Sequence, residues 1–154
     1  MKRILITGMS GTGKTSVIGA LTARGYKAVD TDDGYSARGP NGDWHWNEDA
    51  LIQLLETEDA DVLFVSGCVS NQGKFYPRFD LVILLSAPHK VMLERIGSRS
   101  NNLYGKTPEE QAEILANLEE VEPLLRRTSD HEIITDRPLE RVVEKLLALV
   151  RAKL

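Results

Sequence analysis

Eight residues near the start of the chain combine three glycines, two threonines and a lysine in a spacing suited to phosphate chemistry. The segment Gly8-Met9-Ser10-Gly11-Thr12-Gly13-Lys14-Thr15 matches the pattern G-x-x-x-x-G-K-[ST]. Its glycines let the backbone approach a ligand, so that successive N–H groups point inward as an anion nest. In this pattern the lysine binds the β- and γ-phosphates of a nucleoside triphosphate and the final hydroxyl binds Mg²⁺. We expect nucleotide contacts from Gly8, Ser10, Gly11, Thr12, Gly13, Lys14, Thr15 and Ser16.

The residues on either side of this segment predict the elements that must hold it. Residues 2–7 form a short apolar run typical of a buried strand, and residues 16–24 predict a helix that ends at Gly25. A helix that begins at the loop adds the positive end of its dipole to the phosphate site. A glycine-rich turn without a ligand is the alternative, and the strand–loop–helix order argues against it.

Three carboxylates follow the second predicted strand, residues 26–30. They belong to Asp30, Asp32 and Asp33. Ligands of open α/β sheets bind outside the carboxyl ends of the strands, so we expect these side chains to face the phosphates. Phosphoryl transfer requires charge neutralisation by Mg²⁺ and an oriented acceptor hydroxyl, which carboxylates can provide. The alternative is that they form turns, which aspartate favours through local hydrogen bonds.

The rest of the chain alternates short apolar runs with amphipathic segments, which predicts a parallel sheet covered by helices. The remaining predicted strands are residues 61–66, 81–86 and 131–135, and residues 31–43 are predicted to be loop. The predicted helices are residues 46–56 with Asn47 as N-cap, 88–97, 107–127 and 138–153. The polar stretch 98–106 lies between two helices, where a mobile lid is expected.

Length and charge limit the kind of protein this can be. With 154 residues and a net charge of −4, we expect one domain, residues 1–154, without a basic field for nucleic acid or membrane. No apolar run approaches the ~20 residues needed to cross a bilayer. The single cysteine, Cys68, excludes an internal disulfide and a cysteine zinc cluster. The amino-terminal residues lack a signal pattern, and these features together favour the cytoplasm. Oligomeric state has no sequence signal here.

The chain resembles small P-loop kinases of the shikimate kinase, gluconate kinase and nucleoside-monophosphate kinase superfamily. The phosphate-binding segment, the acidic end of the second strand, an arginine-rich lid and an Arg-Pro pair near the carboxyl end occur in the family order. The resemblance implies a three-layer α/β/α P-loop NTPase fold with a five-stranded parallel sheet and a small mobile lid. It also implies ATP and Mg²⁺ as cofactors, and transfer of the γ-phosphoryl group to a hydroxyl or phosphate of a small molecule such as a nucleotide or nucleoside.

The resemblance also implies roles for individual residues. Asp30-Thr31-Asp32 is similar to the D-x-D of shikimate kinases, which implies that Asp30 holds magnesium water and Asp32 acts as base or orients the acceptor hydroxyl. The metal set is then Thr15, Asp30 and Asp32.

The same resemblance implies catalytic roles for two arginines near the lid. Arg95 and Arg99 are spaced i, i+4 and share a face if the helix continues. The family uses arginines in this segment to hold the transferred phosphate, although a solvated face paired with Glu94 is the alternative. Arg137 and Pro138 correspond to a loop that packs over adenine.

The acceptor side is expected in residues 31–60 and just after the third strand. The candidate acceptor residues are Asp32, Asp33, Arg38, Trp44, Trp46, Gly67 and Arg78. The two tryptophans predict either aromatic walls for an acceptor or one tryptophan that anchors the loop to the core. No acid follows the third strand, where Ser66-Gly67 stands; shikimate kinases carry a glycine-rich sequence there.

Two departures from the family pattern concern the acceptor. Shikimate kinases place a carboxylate-binding arginine before a Pro-Leu-Tyr, whereas this chain has Val121-Glu122-Pro123-Leu124-Leu125, which weakens shikimate as substrate. Adenylate-type kinases have a longer acceptor domain than residues 31–60.

A nucleotide-binding or hydrolysing ATPase or switch without a small-molecule acceptor is the alternative function. A GTPase would need N/T-K-x-D after the fourth strand, which Ser86-Ala87-Pro88-His89-Lys90 does not supply, and an AAA-type motor would need a Walker B acid pair. A nucleotide-binding module without turnover is a third possibility.

Overall fold

The computed structural model describes residues 1–99 and 104–153. Within these residues, seven strands and five α-helices follow one another with one 3-10 helix between them. In chain order they are β1 (Lys2–Thr7), α1 (Lys14–Ala23), β2 (Lys27–Asp30), β3 (Ser36–Arg38), β4 (Trp44–Trp46), α2 (Glu48–Glu56), β5 (Val62–Ser66), the 3-10 helix (Gln72–Arg78), β6 (Leu81–Ser86), α3 (His89–Ser98), α4 (Pro108–Thr128), β7 (His131–Ile134) and α5 (Leu139–Lys153).

Five strands form one parallel sheet in the order β2-β5-β1-β6-β7, which confirms the predicted five-stranded parallel sheet. The central strand β1 is buried on both faces, since Ile4 and Ile6 face one layer and Leu5 faces the other. That two-sided burial explains why β1 has a continuous apolar run instead of an alternating pattern. All five strands end at the same edge, so the segments that follow β1, β2 and β7 meet there.

Helices cover both faces of the sheet. On one face α1 and α5 pack with residues such as Val17 and Leu146 against β1, β5 and β6. On the other face α2 and the 3-10 helix bury Leu51 and Phe75 against Leu5 and neighbouring strand residues. Each cluster fills the space between the sheet and one layer of helices, which gives the three-layer arrangement.

Side-chain caps define the beginnings of two helices, as expected. The Asn47 side chain accepts a hydrogen bond from the Ala50 N–H at 3.0 Å at the start of α2. The Thr107 hydroxyl accepts one from the Glu110 N–H at 3.2 Å, and Pro108 begins α4. Each cap satisfies a backbone donor that the first helical turn leaves without a partner.

The segment before α2 differs from the prediction. Residues 31–43 were expected to be loop and residues 46–56 helix, but Ser36–Arg38 and Trp44–Trp46 pair as an antiparallel hairpin and α2 begins at Glu48. The hairpin turns at Gly39, whose N–H donates to the Asp43 carbonyl at 2.7 Å. Trp46 therefore ends a strand instead of beginning a helix.

The predicted lid is only partly within the described chain. Helix α3 ends at Ser98, and α4 begins at Pro108. Residues 100–103 of the predicted lid lie outside the described residues, as does Leu154. Among the helices that the structure describes, none has the length and apolar content to cross a bilayer.

Candidate active site

The loop between β1 and α1 forms the floor of the candidate site. Gly8 has φ +153°, and a Cβ atom there would lie 2.4 Å from the Leu85 carbonyl oxygen, so only glycine fits. Helix α1 begins at Lys14, two residues earlier than predicted, with Gly13 as its N-cap. The exposed N–H groups of this first turn and the helix dipole make the loop a site for an anion.

The Lys14 ammonium is folded back onto this loop. Nζ donates to the Gly8 carbonyl at 2.5 Å and to the Met9 carbonyl at 3.1 Å. Burial lowers the pKa of Lys14, whereas nearby Cys68, Asp32 and Asp30 favour its charged form. A polyanion in the loop would stabilise that charge far better than two neutral carbonyl groups do.

A cavity of about 760 Å³ opens above the loop and brings together most of the predicted site. The predicted residues that line it are Ser10, Gly11, Gly13, Lys14, Thr15, Ser16, Asp30, Asp32, Asp33, Arg95, Arg99 and Arg137. These residues come from four separate segments of the chain, which the fold brings to one cavity.

Other predicted site residues do not line this cavity. Gly8 and Thr12 hold the loop from behind, and the buried Thr12 hydroxyl donates to the Met9 carbonyl at 2.7 Å. The remaining predicted residues outside the cavity lining are Arg38, Trp44, Trp46, Gly67, Arg78 and Pro138.

The Asp30-Thr31-Asp32 segment turns sharply at the end of β2. The Asp32 N–H donates to Asp30 Oδ1 at 3.0 Å, and the Thr15 hydroxyl lies 3.2 Å from Asp30 Oδ2. Thr31 is fully buried between the two carboxylates, and its hydroxyl donates to the Ser66 carbonyl at 2.7 Å. Anchoring of Thr31 in the core leaves Asp30 and Asp32 on the cavity side.

Both tryptophans of the hairpin hold this segment. The Trp46 indole N–H donates to the Thr31 hydroxyl oxygen at 2.8 Å, and that of Trp44 donates to Asp32 Oδ1 at 2.9 Å. The tryptophans were predicted either to form aromatic walls for an acceptor or to include one that anchors the loop to the core. Trp46 is fully buried and therefore has the anchoring role. Gly67 lies against the same group, since a Cβ there would be 2.5 Å from Thr31 Oγ1.

The residues after β5 hold the hairpin from its other side. The Trp46 N–H donates to Asn71 Oδ1 at 2.9 Å, and Asn71 Nδ2 donates back to the Trp46 carbonyl at 3.1 Å. The Ser70 N–H donates to the Trp44 carbonyl at 2.8 Å. These bonds fix β4 to the sheet and so fix the position of Asp32.

Arg95 makes hydrogen bonds that sequence reasoning did not anticipate. Its guanidinium donates to the Gly11 carbonyl at 3.1 Å, to the Thr135 hydroxyl oxygen at 2.9 Å and to the Thr135 carbonyl. The Thr135 hydroxyl in turn donates to the Thr12 carbonyl at 2.7 Å. Thr135 lines the cavity but was not among the predicted site residues; its only sequence signal is its place directly after the last strand.

The two remaining arginines of the cavity lie at its rim. The Arg99 N–H donates to the Arg95 carbonyl at 3.1 Å, so the helical turn continues and both side chains reach the cavity, and Arg99 Nη2 donates to the Tyr104 carbonyl at 2.7 Å. Arg137 lies 3.8 Å from the Asp136 carboxylate. Both guanidinium groups can bind phosphate or stack on a base.

An apolar wall completes the cavity. It was not predicted, and its residues are Val17, Ile96, Leu139 and Val142. Leu139 remains 42% exposed, which leaves it available to an incoming group. The other three residues are almost completely buried, so Leu139 is the apolar side chain of this wall that an incoming group can contact.

The oxygen donors next to the loop fit magnesium in part. Mg²⁺ prefers oxygen ligands and keeps several waters, and the Thr15 hydroxyl and Asp30 carboxylate offer oxygens within 3.2 Å of each other. No group of three or more His, Cys, Asp or Glu side chains within residues 1–99 and 104–153 is arranged to hold a metal alone. Phosphate oxygens and water would therefore complete the coordination.

Comparison with known proteins agrees with this architecture. A family model described as AAA domain matches residues 4–116. No curated protein sequence matches the chain.

Solved structures match over almost the whole chain. A shikimate kinase from Acinetobacter baumannii in complex with shikimate has 18% identity and a TM-score of 0.73, covering 99% of this chain and 94% of that one. A shikimate kinase from Bacteroides thetaiotaomicron has 21% identity and a TM-score of 0.74, covering 97% and 98%. A gluconokinase from Sinorhizobium meliloti 1021 has 20% identity and a TM-score of 0.63, covering 99% and 93%. These similarities confirm the predicted three-layer P-loop fold.

Proposed function

This chain belongs to the AAA domain family, and on that premise we propose that it is an ATP-dependent kinase for a small molecule. It transfers the γ-phosphoryl group of ATP to a hydroxyl or phosphate acceptor. In this proposal residues 1–154 work as one domain, residues 31–60 form the acceptor side, and residues 98–106 act as a lid.

The observation that carries the proposal is a carboxylate held in the same cavity as the phosphate-binding loop. Asp32 and Lys14 both line the cavity, and the Trp44 indole fixes Asp32 Oδ1 at 2.9 Å. A hydrolase or switch needs only a positioned water, whereas a kinase needs a group that orients an acceptor beside the γ-phosphate. A carboxylate that the hairpin holds in a fixed position suits the orientation of an acceptor.

The donor side follows from the loop and the arginines. The loop N–H groups and Lys14 bind the triphosphate, and the apolar wall with Arg137 and Pro138 takes the base. Arg95 is already bound to the loop and to Thr135, so it supports the nucleotide site from a fixed position. Arg99 directly follows α3 and belongs to the proposed lid.

The transfer step is an in-line displacement. A new bond forms between the acceptor oxygen and the γ-phosphorus, the bridging P–O bond to the β-phosphate breaks, and ADP leaves. The proton of the acceptor hydroxyl passes to Asp32 and then to water. Magnesium, when bound, neutralises charge on the phosphates, and Thr15 and Asp30 are the residues that would hold it directly or through water.

A screen for ATP consumption tests the proposal. The wild-type chain is supplied with MgATP and with nucleosides, nucleoside monophosphates, sugars, polyols or hydroxy acids, and ADP formation is measured. We expect one compound class to stimulate ADP formation, and Asp32→Asn to abolish most of that stimulation while the dissociation constant for ATP stays within about threefold.

Two outcomes would contradict the kinase proposal. ADP formation that no compound stimulates would favour the alternative ATPase or switch. Stimulation that is equal in the wild-type chain and in Asp32→Asn would remove Asp32 from the mechanism.

A further inference from the structure

We propose that the phosphoryl acceptor is a hydroxyl compound without negative charge. The inference rests on the proposed kinase function and names the class of its second substrate. It follows from the positions of the charged side chains. Two carboxylates lie at the acceptor side of the cavity, whereas the cations of the acceptor side do not line the cavity.

The two carboxylates belong to consecutive residues, Asp32 and Asp33, which both line the cavity. Asp32 Oδ1 accepts the Trp44 indole N–H, a group that can only donate, so this oxygen serves as an acceptor. Asp32 Oδ2 and the Asp33 carboxylate make no hydrogen bond within the described part of the chain. They are therefore available to accept hydrogen bonds from hydroxyl groups of a substrate.

The cations of the acceptor side lie outside the described lining of the cavity. Residues 31–80 contain three, namely Arg38, Lys74 and Arg78. Lys74 Nζ lies 3.0 Å from Glu48, Arg78 lies 3.6 Å from Glu56, and Arg38 donates to the Gly42 carbonyl at 2.9 Å.

These contacts are on the surface and individually weak, so the position of the three cations matters more than the strength of each contact. None of the three cations is among the described residues that line the cavity. Residues 100–103 have the sequence Ser-Asn-Asn-Leu and add no positive charge.

Of the four cations in the described lining of the cavity, Lys14, Arg95 and Arg137 lie on the nucleotide side. Lys14 is part of the phosphate-binding loop, and Arg95 is bound to that loop and to Thr135. Arg137 stands beside the apolar wall, and Arg99 follows Arg95 by one helical turn. A triphosphate is the most highly charged group in the reaction, and these cations are placed to neutralise it.

An acceptor with a carboxylate or phosphate would bring a third negative charge next to Asp32 and Asp33. Like charges at contact distance disfavour one another, and solvent reduces this repulsion because Asp32 and Asp33 are exposed. A sugar, polyol or nucleoside instead offers hydroxyl donors to the same carboxylates. The site therefore selects against anions by repulsion as well as for hydroxyl groups by hydrogen bonding.

Matched pairs of acceptors that differ by one anionic group test this inference. The pairs are D-glucitol with D-gluconate, methyl shikimate with shikimate, and adenosine with adenosine monophosphate, each with MgATP. We expect kcat/KM for ADP formation to be at least about tenfold higher for the uncharged member of any pair that is used. An anionic member that is used equally well or better would overturn the inference. A third outcome is that ATP binds but no compound of the pairs or of the wider screen is phosphorylated. That outcome would contradict the kinase function itself and, with it, the inference about the acceptor.

A variant that removes the charge of Asp33 tests whether this residue discriminates against anionic acceptors. In Asp33→Asn the ratio of kcat/KM between uncharged and anionic members should fall by at least about threefold, since one repulsive charge is lost. Asp61→Asn is the matched control, because Asp61 is exposed and lies before β5, at the opposite edge of the sheet. The control should keep the wild-type ratio. An unchanged ratio in Asp33→Asn would overturn the repulsion argument even if the acceptor is uncharged.

Discussion

The guanidinium of Arg95 and the hydroxyl of Thr135 join three separate segments of the chain. Arg95 Nη1 donates to Thr135 Oγ1 at 2.9 Å, and Thr135 Oγ1 donates to the Thr12 carbonyl at 2.7 Å. The Thr135 N–H donates to the Ser86 carbonyl at 2.8 Å, which continues the pairing of β7 with β6. The position of the phosphate-binding loop therefore depends on a residue more than a hundred positions away in sequence.

Replacement of Thr135 by valine should weaken this link. Valine has the shape of threonine but lacks its hydroxyl, so the buried Thr12 carbonyl and one Arg95 N–H lose their partner. We expect the free energy of unfolding to fall by about 1–3 kcal/mol and ATP binding to weaken severalfold. Urea denaturation and titration calorimetry measure the two effects.

Thr128→Val is the control for this prediction. The exposed Thr128 hydroxyl only donates back to carbonyl groups of its own helix, Leu124 and Leu125. Its loss should change stability by no more than about 0.5 kcal/mol. Equal effects in Thr135→Val and Thr128→Val would show that the Thr135 hydroxyl is not a structural link.

Removal of the Lys14 ammonium should nearly abolish turnover. Lys14→Ala removes a preorganised charge from the phosphate-binding loop, so kcat/KM for ATP consumption should fall by about 10²–10³-fold. Lys145→Ala is the matched control, because Lys145 is exposed on α5 and outside the cavity lining. Circular dichroism should show both variants folded. Turnover of Lys14→Ala within threefold of the wild type would contradict the proposed phosphate site.

Gly67 is a position where a single methyl group should disturb the acceptor side. A Cβ atom there would lie 2.5 Å from Thr31 Oγ1 and 3.2 Å from the Trp46 ring. Both groups are fully buried, so they cannot move away without cost. We expect Gly67→Ala to lower the free energy of unfolding by about 1–3 kcal/mol and to lower kcat through displacement of Asp32.

Gly19→Ala is a control with the opposite expected sign. Gly19 lies inside α1, and no atom lies within 4 Å of a Cβ placed there. Alanine should stabilise the helix by about 0.5–1 kcal/mol. Thermal unfolding of both variants measures whether each substitution raises or lowers stability. A stabilised Gly67→Ala would refute the close approach of Gly67 to Thr31.

The acid stability of the protein should depend in part on Glu132. Arg126 Nε donates to Glu132 at 2.7 Å, and this bond, together with that from the Ser86 hydroxyl, holds the pKa of Glu132 below its ordinary value of 4.5. A carboxyl with a lowered folded-state pKa contributes stability above its unfolded pKa and loses it as pH falls through the folded value. The contribution is therefore complete above about pH 4.5 and disappears under more acidic conditions.

Glu132→Gln should remove that part of the acid dependence. At pH 7 the variant should be less stable by about 0.5–1 kcal/mol, and the difference from the wild type should shrink as pH falls below 4.5. Urea denaturation across this pH range measures it, with the exposed mid-helix Glu120→Gln as control. A constant difference between wild type and Glu132→Gln at all pH values would contradict the linkage.

The sequence was sufficient for the elements whose signal is local. The phosphate-binding segment fixes its own strand, loop and helix, because its glycines and lysine have the same task wherever the motif occurs. The strands buried on both faces have continuous apolar runs, and Asn47 and Thr107 with Pro108 mark helix starts. These signals predicted the sheet, its helices and the cavity floor.

The hairpin and its contacts depend on residues distant in sequence. Ser36–Arg38 and Trp44–Trp46 have three residues each, too few to show an alternating pattern, and Gly39-Pro40-Asn41-Gly42 has the composition of an ordinary loop. Trp46 is held in place by the hydrogen bonds that it donates to Asn71 and Thr31, and neither partner is evident from the sequence. The same applies to Thr135, whose role arises only when β7 lies next to the loop after β1.

One consequence of the hairpin is optical. The only two indoles in the chain, Trp44 and Trp46, both lie in β4 and both bond to the segment that carries Asp32. Intrinsic fluorescence excited at the red edge of protein absorption therefore originates entirely from the proposed acceptor side. The chain therefore has a built-in, label-free probe of ligand entry next to Asp32, which stopped-flow mixing can follow in time.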